Sequence, residues 1–151
     1  MFTRLLVATL ALSTLAIHEV PVDAASQSSA DLLKAFQAAG GRVYIDSDLC
    51  EKHDAFGIQH GVSVHLCTKP HQGDTAEWRD TIRHELWHVV QMCNKGPISG
   101  DPIEAIVHAN AKGWTGKGYK PEHWHHEAEA YFAAAEFSAQ QIKDSIKAYC
   151  L

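Results

Sequence analysis

The chain has 151 residues, of which 46% are hydrophobic and 21% are charged, and its formal net charge is -5. This length favours one domain, and the apolar content is enough for a buried core, which excludes a largely disordered chain. An acidic chain without a basic stripe cannot neutralise phosphates, so nucleic acid is not an expected partner.

The first 24 residues have the order of a secretion signal. Arg4 supplies a positive charge, the apolar run 5–16 follows, and small residues precede a cleavage site after Ala24. The run is too short for a membrane span, which needs roughly 20 apolar residues. We therefore expect a secreted or periplasmic protein that has no membrane attachment after cleavage and a single mature domain over residues 25–151. A buried N-terminal helix in a cytosolic protein is the alternative interpretation.

Four cysteines follow the signal sequence, and an even number in an exported chain indicates two disulfides. Of the three possible connectivities we favour Cys50–Cys67, which closes a local hairpin, together with Cys93–Cys150, which ties the last helix to the central one. Free buried thiols are expected instead if the chain is not exported.

The first half of the mature chain combines a helix with short strands. A helix is predicted over 30–39 and ends at Gly40-Gly41. Strand character follows in 42–46 and 58–68, and apolar and polar residues alternate over 62–66. These patterns predict a small antiparallel sheet, and the 62–66 strand is the edge that could align an extended peptide.

The second half is predicted to be helical. Asp74 caps a helix that runs to about Asn94, and helices follow over 103–111 and from Pro121 to about Phe137, with a last helix capped by Ser138. The fold class is therefore α+β, with a small antiparallel sheet packed against a helical half.

The central helix carries His84-Glu85-Leu86-Trp87-His88, an HExxH motif. Histidines four residues apart share one helix face, so both imidazoles can reach one metal, and Glu85 can act as general base. Zinc is the expected metal, because imidazole and carboxylate ligands suit it and it keeps an open position for catalysis. An apolar stripe lies on the opposite face and is expected to be buried; it comprises Trp78, Ile82, Leu86, Val89, Val90 and Cys93.

A catalytic zinc site needs a third protein ligand, and the later helix offers two glutamates. Glu127 shares its helix face with small and apolar residues, which allows that face to pack close to another helix. Glu129 shares its face with His125 and Phe132 and is expected to be more solvated. The preferred metal ligands are therefore His84, His88 and Glu127, with Glu129 as the alternative third ligand.

His84 to Gln91, reading HELWHVVQ, and the later Glu127-Ala128-Glu129-Ala130 resemble the gluzincin class of zinc metallopeptidases, in particular small bacterial or phage peptidase-like domains. In families with an ExxAD pattern the first glutamate is the ligand, which corresponds to Glu127. Tyr131 stands where those families have an aspartate that orients a histidine ligand, so Tyr131 or another group is expected to take that role. The resemblance covers residues 75–137.

This resemblance implies a zinc-dependent peptidase that hydrolyses a peptide or protein substrate. Zinc would polarise the scissile carbonyl and lower the pKa of its water, and Glu85 would take the proton and return it to the leaving amine. The oxyanion donor is open among four candidates, Tyr119, Tyr131, His108 and His123.

Two other functions are compatible with the sequence. One is a secreted zinc-binding protein without catalysis, in which His123 could close a four-ligand site; the other is a disulfide-bonded interaction domain with a chance motif.

Overall fold

The computed structural model describes residues 22–71 and 74–151, with side chains described from Ser28 onward. The predicted secretion signal lies outside the described residues, apart from Val22–Ala24, which begin the first helix. Among the described residues, no helix has both the length and the apolar character needed to cross a membrane. Along the chain the elements are α1 (Val22–Ala38), β1 (Arg42–Ile45), α2 (Asp48–His53), β2 (Gly57–His60), β3 (Ser63–Leu66), α3 (Thr68–His71), α4 (Thr75–Asn94), α5 (Pro102–Asn110), a 3-10 turn (Pro121–His123), α6 (Trp124–Glu136) and α7 (Ala139–Cys150).

The helix starts follow local side-chain chemistry. The Asp74 carboxylate accepts the backbone N–H groups of Ala76 and Glu77 at 2.9 and 3.0 Å, which confirms the predicted N-cap of α4. Ser138 and Gln141 form a reciprocal capping box at the start of α7. The first helix differs from the prediction, because it begins at Val22 rather than at residue 30.

The sheet has three strands in the order β1-β3-β2. The predicted α+β class is confirmed, but the prediction of a purely antiparallel sheet is wrong. β2 and β3 pair antiparallel, whereas β1 and β3 pair parallel. The parallel pair arises because the chain leaves β1 through α2, turns back in β2 and only then runs in the direction of β1 again.

The segment predicted as one strand over 58–68 is a hairpin. Gly61 adopts a left-handed backbone conformation, φ +60°, in the turn between β2 and β3. Glycine has no Cβ atom and adopts this conformation at little cost, so the chain can reverse direction at residue 61. β3 is consequently the central strand, and the prediction that 62–66 forms a sheet edge is wrong. The edge strands are β1 and β2.

Helix α4 lies at the centre of the fold and packs against helices α1, α6 and α7 and strands β2 and β3. The middle of its predicted apolar stripe is buried, and Trp78 and Cys93 at the two ends are partly buried. The face that carries His84 and His88 is therefore turned away from the main core. The stripe packs with buried side chains from four other elements, namely Leu32, Phe36, Val64, Leu66, Ala130, Ala133, Ile142 and Ile146.

Two disulfides have the predicted connectivity and include all four cysteines. Cys50–Cys67 joins α2 to the residue that follows β3, with the Cα atoms 5.5 Å apart. Cys93–Cys150 joins the last turn of α4 to the end of α7, with a Cα separation of 5.2 Å. One bridge therefore links α2 to the end of the central strand, and the other links the central helix to the last helix.

Candidate metal centre

Two histidines of α4 and one glutamate of α6 meet at the wall of an open cleft. The Nε2 atoms of His84 and His88 are 3.0 Å apart, and they lie 3.3 and 3.5 Å from the same oxygen of Glu127, Oε2. The candidate ligand atoms all lie within 4.8 Å of one another. Two imidazole nitrogens and a carboxylate that remain accessible form the donor set of catalytic zinc sites, so these residues fit a zinc ion.

The position of each donor follows from its helix. His84 and His88 are four residues apart in α4, so their rings project from the same face one turn apart. Glu127 lies in the first turn of α6, where the helix dipole stabilises a negative charge. The helices α4 and α6 pack against each other, and this packing brings the carboxylate to the imidazoles.

The charges of the three groups are coupled. Burial on its own would raise the pKa of the Glu127 carboxyl, but hydrogen bonds and charges from His84 and His88 outweigh burial and hold this pKa well below its usual range. Burial lowers the pKa of the His88 imidazole, but the contacts with Glu127 and Glu85 outweigh it and raise this pKa above its ordinary value. An ionised carboxylate thus faces both rings, and that charge favours a divalent cation.

Gln91 orients the ring of His88. The Nδ1 atom of His88 is 2.7 Å from Gln91 Oε1. Because an amide oxygen only accepts hydrogen bonds, Nδ1 carries the proton and the lone pair of neutral His88 is on Nε2, which faces Glu127. The amide nitrogen of Gln91 donates to the His126 carbonyl at 3.0 Å and to Glu129 Oε2 at 2.6 Å, which fixes the orientation of the amide.

Either Tyr131 or another group was expected to orient a histidine ligand, and the residue that contacts His88 is Gln91, not Tyr131. The Tyr131 hydroxyl donates to the Lys112 carbonyl at 3.2 Å, so it holds the loop after α5 instead. Gln91 contacts His88 in its place, from α4 itself. Two sequence signals pointed to it, namely its place in the HELWHVVQ stretch and its position three residues after His88, which is within side-chain reach on a helix.

Glu129 is buried, so the expectation that it is more solvated than Glu127 is wrong. Only 7% of its surface is exposed, and its carboxylate accepts the backbone N–H groups of Ile98 at 3.0 Å and Ser99 at 2.6 Å in addition to the Gln91 amide. Its oxygens are therefore used by the segment after α4. Among the described residues, the group that could hold a metal contains Glu127 and not Glu129.

Glu85 is packed beneath the edge strand β2. Only 6% of its surface is exposed. A Cβ atom on Gly57 would lie 2.6 Å from Glu85 Cγ, so only glycine leaves room for this side chain. Burial raises the pKa of the Glu85 carboxyl, although His84 and His88 act in the opposite direction.

The cleft beside these groups has a volume of about 1140 Å³. Residues 56–59 form one wall, and the loop segment 117–119 and α6 contribute to the others. Because β3 is the central strand, the cleft borders β2, whose outer edge faces the candidate metal centre. A chain in extended conformation is the shape that such an edge accommodates.

The four candidate oxyanion donors differ in position. Tyr119, Tyr131 and His123 line the cleft, whereas His108 packs against Phe132 outside it, with the rings tilted and their centroids 5.2 Å apart. Burial together with the charges of Glu127 and Glu85 raises the pKa of Tyr119 to about 12. Its hydroxyl is therefore a protonated donor at neutral pH.

We expect Gln91→Ala to weaken zinc affinity by about 10- to 100-fold, because the ring of His88 loses the partner that fixes its tautomer and orientation. Competition titration against a zinc indicator measures this change. Gln37→Ala, which removes an exposed glutamine from α1, is the control and should leave the affinity unchanged. Equal affinities for the Gln91 and Gln37 variants would contradict the orienting role.

Comparison with known proteins identifies a family but indicates no activity. A family model described as a domain of unknown function, DUF8637, matches residues 22–151. No curated protein and no solved structure matches the chain. The family match extends over the whole described fold, including both disulfides and the candidate metal centre. The chain therefore belongs to the DUF8637 family.

Proposed function

We propose that this protein is a zinc-dependent peptidase that acts outside the cytoplasm. The observation that carries the proposal is the convergence of His84, His88 and Glu127 beside a buried glutamate in an open cleft. A carboxylate that follows the first metal-binding histidine is the general base expected of an HExxH helix. The family assignment leaves the activity open, so the proposal is based on the donor set and its surroundings.

His84, His88 and Glu127 would hold the zinc ion, which supplies a Lewis acid that polarises a peptide carbonyl and acidifies a water molecule. Glu85 takes a proton from the attacking water and delivers it to the amine nitrogen that leaves. Burial raises the pKa of Glu85 above its ordinary value, which strengthens it as a base, and a carboxylate can both accept and release a proton.

Tyr119 is the preferred donor to the oxyanion in this proposal. Its hydroxyl is protonated at neutral pH and lies beside Glu127, so it can donate to an oxygen that becomes negative in the same cleft. His123 also lines the cleft and is the second candidate. Tyr131 is less suited because its hydroxyl already donates to the Lys112 carbonyl.

The proposed substrate is a peptide or an exposed segment of a protein in extended conformation. Such a segment would lie along the outer edge of β2, where unpaired backbone groups can form hydrogen bonds with a peptide. This assignment moves substrate alignment from the 62–66 strand, which is central in the sheet, to its neighbour β2.

Export is the proposed localisation. Two disulfides are typical of proteins in oxidising compartments, and the order of residues 1–24 matches a secretion signal. The expected mature protein begins after Ala24, which N-terminal sequencing of material recovered from outside the cytoplasm would check.

A zinc-binding protein without catalysis has less support. That alternative needs a fourth protein ligand, and His123 was the candidate. Among the described residues, the group of possible metal ligands consists of His84, His88 and Glu127. A position that remains available to water is expected of an enzyme.

The decisive experiment compares wild type with Glu85→Gln. We expect both proteins to contain one zinc ion per chain, and we expect hydrolysis of a peptide library to fall by about 100-fold or more in the variant, because the general base is lost. Elemental analysis and product detection by mass spectrometry measure the two quantities. Glu104→Gln changes an exposed glutamate at the start of α5 and should retain full activity. Wild-type protein that binds zinc but cleaves no peptide would favour the non-catalytic alternative.

A further inference from the structure

Glu129 is a buried carboxylate on which three N–H donors converge. Its oxygen Oε2 accepts from the side-chain amide of Gln91 at 2.6 Å and from the Ile98 N–H at 3.0 Å, and Oε1 accepts from the Ser99 N–H at 2.6 Å. Only 7% of its surface is exposed, and hydrogen bonds shielded from water in this way are electrostatically stronger than exposed ones. The two backbone donors hold the 97–99 segment, but the third donor belongs to α4.

A continuous chain of hydrogen bonds connects this carboxylate with the candidate metal centre. Gln91 is 2% exposed, and its amide lies between Glu129 Oε2 on one side and His88 Nδ1, 2.7 Å from its oxygen, on the other. The opposite ring nitrogen of His88, Nε2, is the proposed zinc ligand and lies 3.5 Å from Glu127 Oε2. We refer to the path from Glu129 through Gln91 to His88 as the relay.

Glu129 determines the direction of the bonds in the relay. A carboxylate accepts hydrogen bonds, so the Gln91 amide turns its nitrogen toward Glu129 and its oxygen toward His88. The His126 carbonyl accepts the second amide hydrogen at 3.0 Å and favours the same orientation. The bond to Glu129 is shorter, and bonds to a charged acceptor are roughly twice as strong as neutral ones. The amide oxygen in turn keeps the ring proton of His88 on Nδ1.

We propose that Glu129 is a positioning residue for zinc binding, which acts through Gln91 on the tautomer and orientation of His88. This inference rests on the proposed zinc site but not on peptide hydrolysis. Two other roles are conceivable for the same carboxylate. It could only fasten the 97–99 segment, or its charge could attract the cation directly through space. Neither of these roles needs the amide of Gln91, and this difference makes the relay testable.

A double-mutant cycle on zinc affinity, measured by competition titration, tests the relay. Glu129→Gln keeps the size of the side chain but replaces the charged acceptor with a neutral amide, so the strong bond to Gln91 is lost in either orientation of the new group. We expect affinity to fall about tenfold in the wild-type background and less than about twofold when Gln91 is already alanine. The same fold-change in both backgrounds would show that Glu129 acts without Gln91 and would overturn the proposal.

Ser99→Ala is the control for the 97–99 segment. It removes the hydroxyl contact with His125 Nε2 at 3.0 Å, which also links this segment to α6, but it keeps the N–H that Glu129 accepts. We expect the zinc affinity to stay at the wild-type value. A loss as large as that in Glu129→Gln would show that fastening of the segment determines the affinity, which would overturn the relay.

The imidazole nitrogens of His88 provide a readout that depends neither on zinc nor on activity. Their chemical shifts in the metal-free protein, measured by NMR at a pH where the ring is neutral, show which nitrogen carries the proton. We expect the proton on Nδ1 in wild type and a larger fraction of the Nε2–H form in Glu129→Gln. A wild-type ring protonated on Nε2, or equal fractions in the two proteins, would overturn the proposal.

The two arms separate the possible failures. Wild-type protein that binds no zinc would overturn the proposed function, and with it the effect of Glu129 on affinity, whatever the tautomer of His88. Wild-type protein that binds zinc no more tightly than Glu129→Gln would overturn the positioning role alone and leave the proposed function intact.

Discussion

Zinc at about a thousand times its Kd is expected to raise the free energy of unfolding of the wild-type protein by about 4 kcal/mol. The reason is mass action, since the folded chain brings together His84, His88 and Glu127, which are far apart in an unfolded chain. For a domain of this size the gain corresponds to a Tm increase of about 10 to 15 °C. Thermal unfolding with zinc and with a chelator measures it.

Glu127→Ala should lose most of this zinc-dependent increase, because it removes one of the three proposed ligands. Glu122→Ala is the matched control, since it deletes an exposed glutamate in the neighbouring 3-10 turn. Comparing each variant with and without zinc cancels any change in the stability of the metal-free protein. A full increase in Glu127→Ala would show that the metal is bound elsewhere.

Removing the Cys93–Cys150 disulfide is expected to reduce the free energy of unfolding by about 4 kcal/mol, against about 3 kcal/mol for Cys50–Cys67. The bridges close sequence separations of 57 and 17 residues, and the longer loop restricts the unfolded chain more. Denaturant unfolding of the two double serine variants measures both values. A larger loss for the shorter loop would contradict this order and would indicate that contacts in the folded state dominate.

The sequence was sufficient for the parts of the fold that depend on local chemistry. Helix α4 was predictable from its apolar stripe and from Asp74, whose carboxylate caps the first turn. The pairing of cysteines was predictable because four cysteines allow three connectivities and Cys50 and Cys67 lie close enough in the chain to close a local hairpin. The shared face of His84 and His88 was predictable because helix geometry places residues four apart side by side.

The arrangement of elements that meet only in the folded chain was not predictable in the same way. The sequence pattern predicts an extended segment over 58–68, but the turn at Gly61 decides between one strand and a hairpin. A helical wheel shows which face carries Glu129, but not that two backbone N–H groups of the 97–99 segment need its carboxylate. The sequence likewise does not show why residue 57 is glycine, because the reason is the space that Glu85 of another element fills.

The three proposed metal ligands are held by parts of the fold that differ in their resistance to local opening. His84 and His88 lie within a long helix that is packed on several sides and bridged near its end. Glu127 lies in a first turn preceded by His123, whose side chain forms no cap hydrogen bond. Helix ends fray before helix centres. Ion exchange should therefore begin with departure of the carboxylate, and the dissociation rate should follow the stability of the α6 N-terminus rather than that of α4.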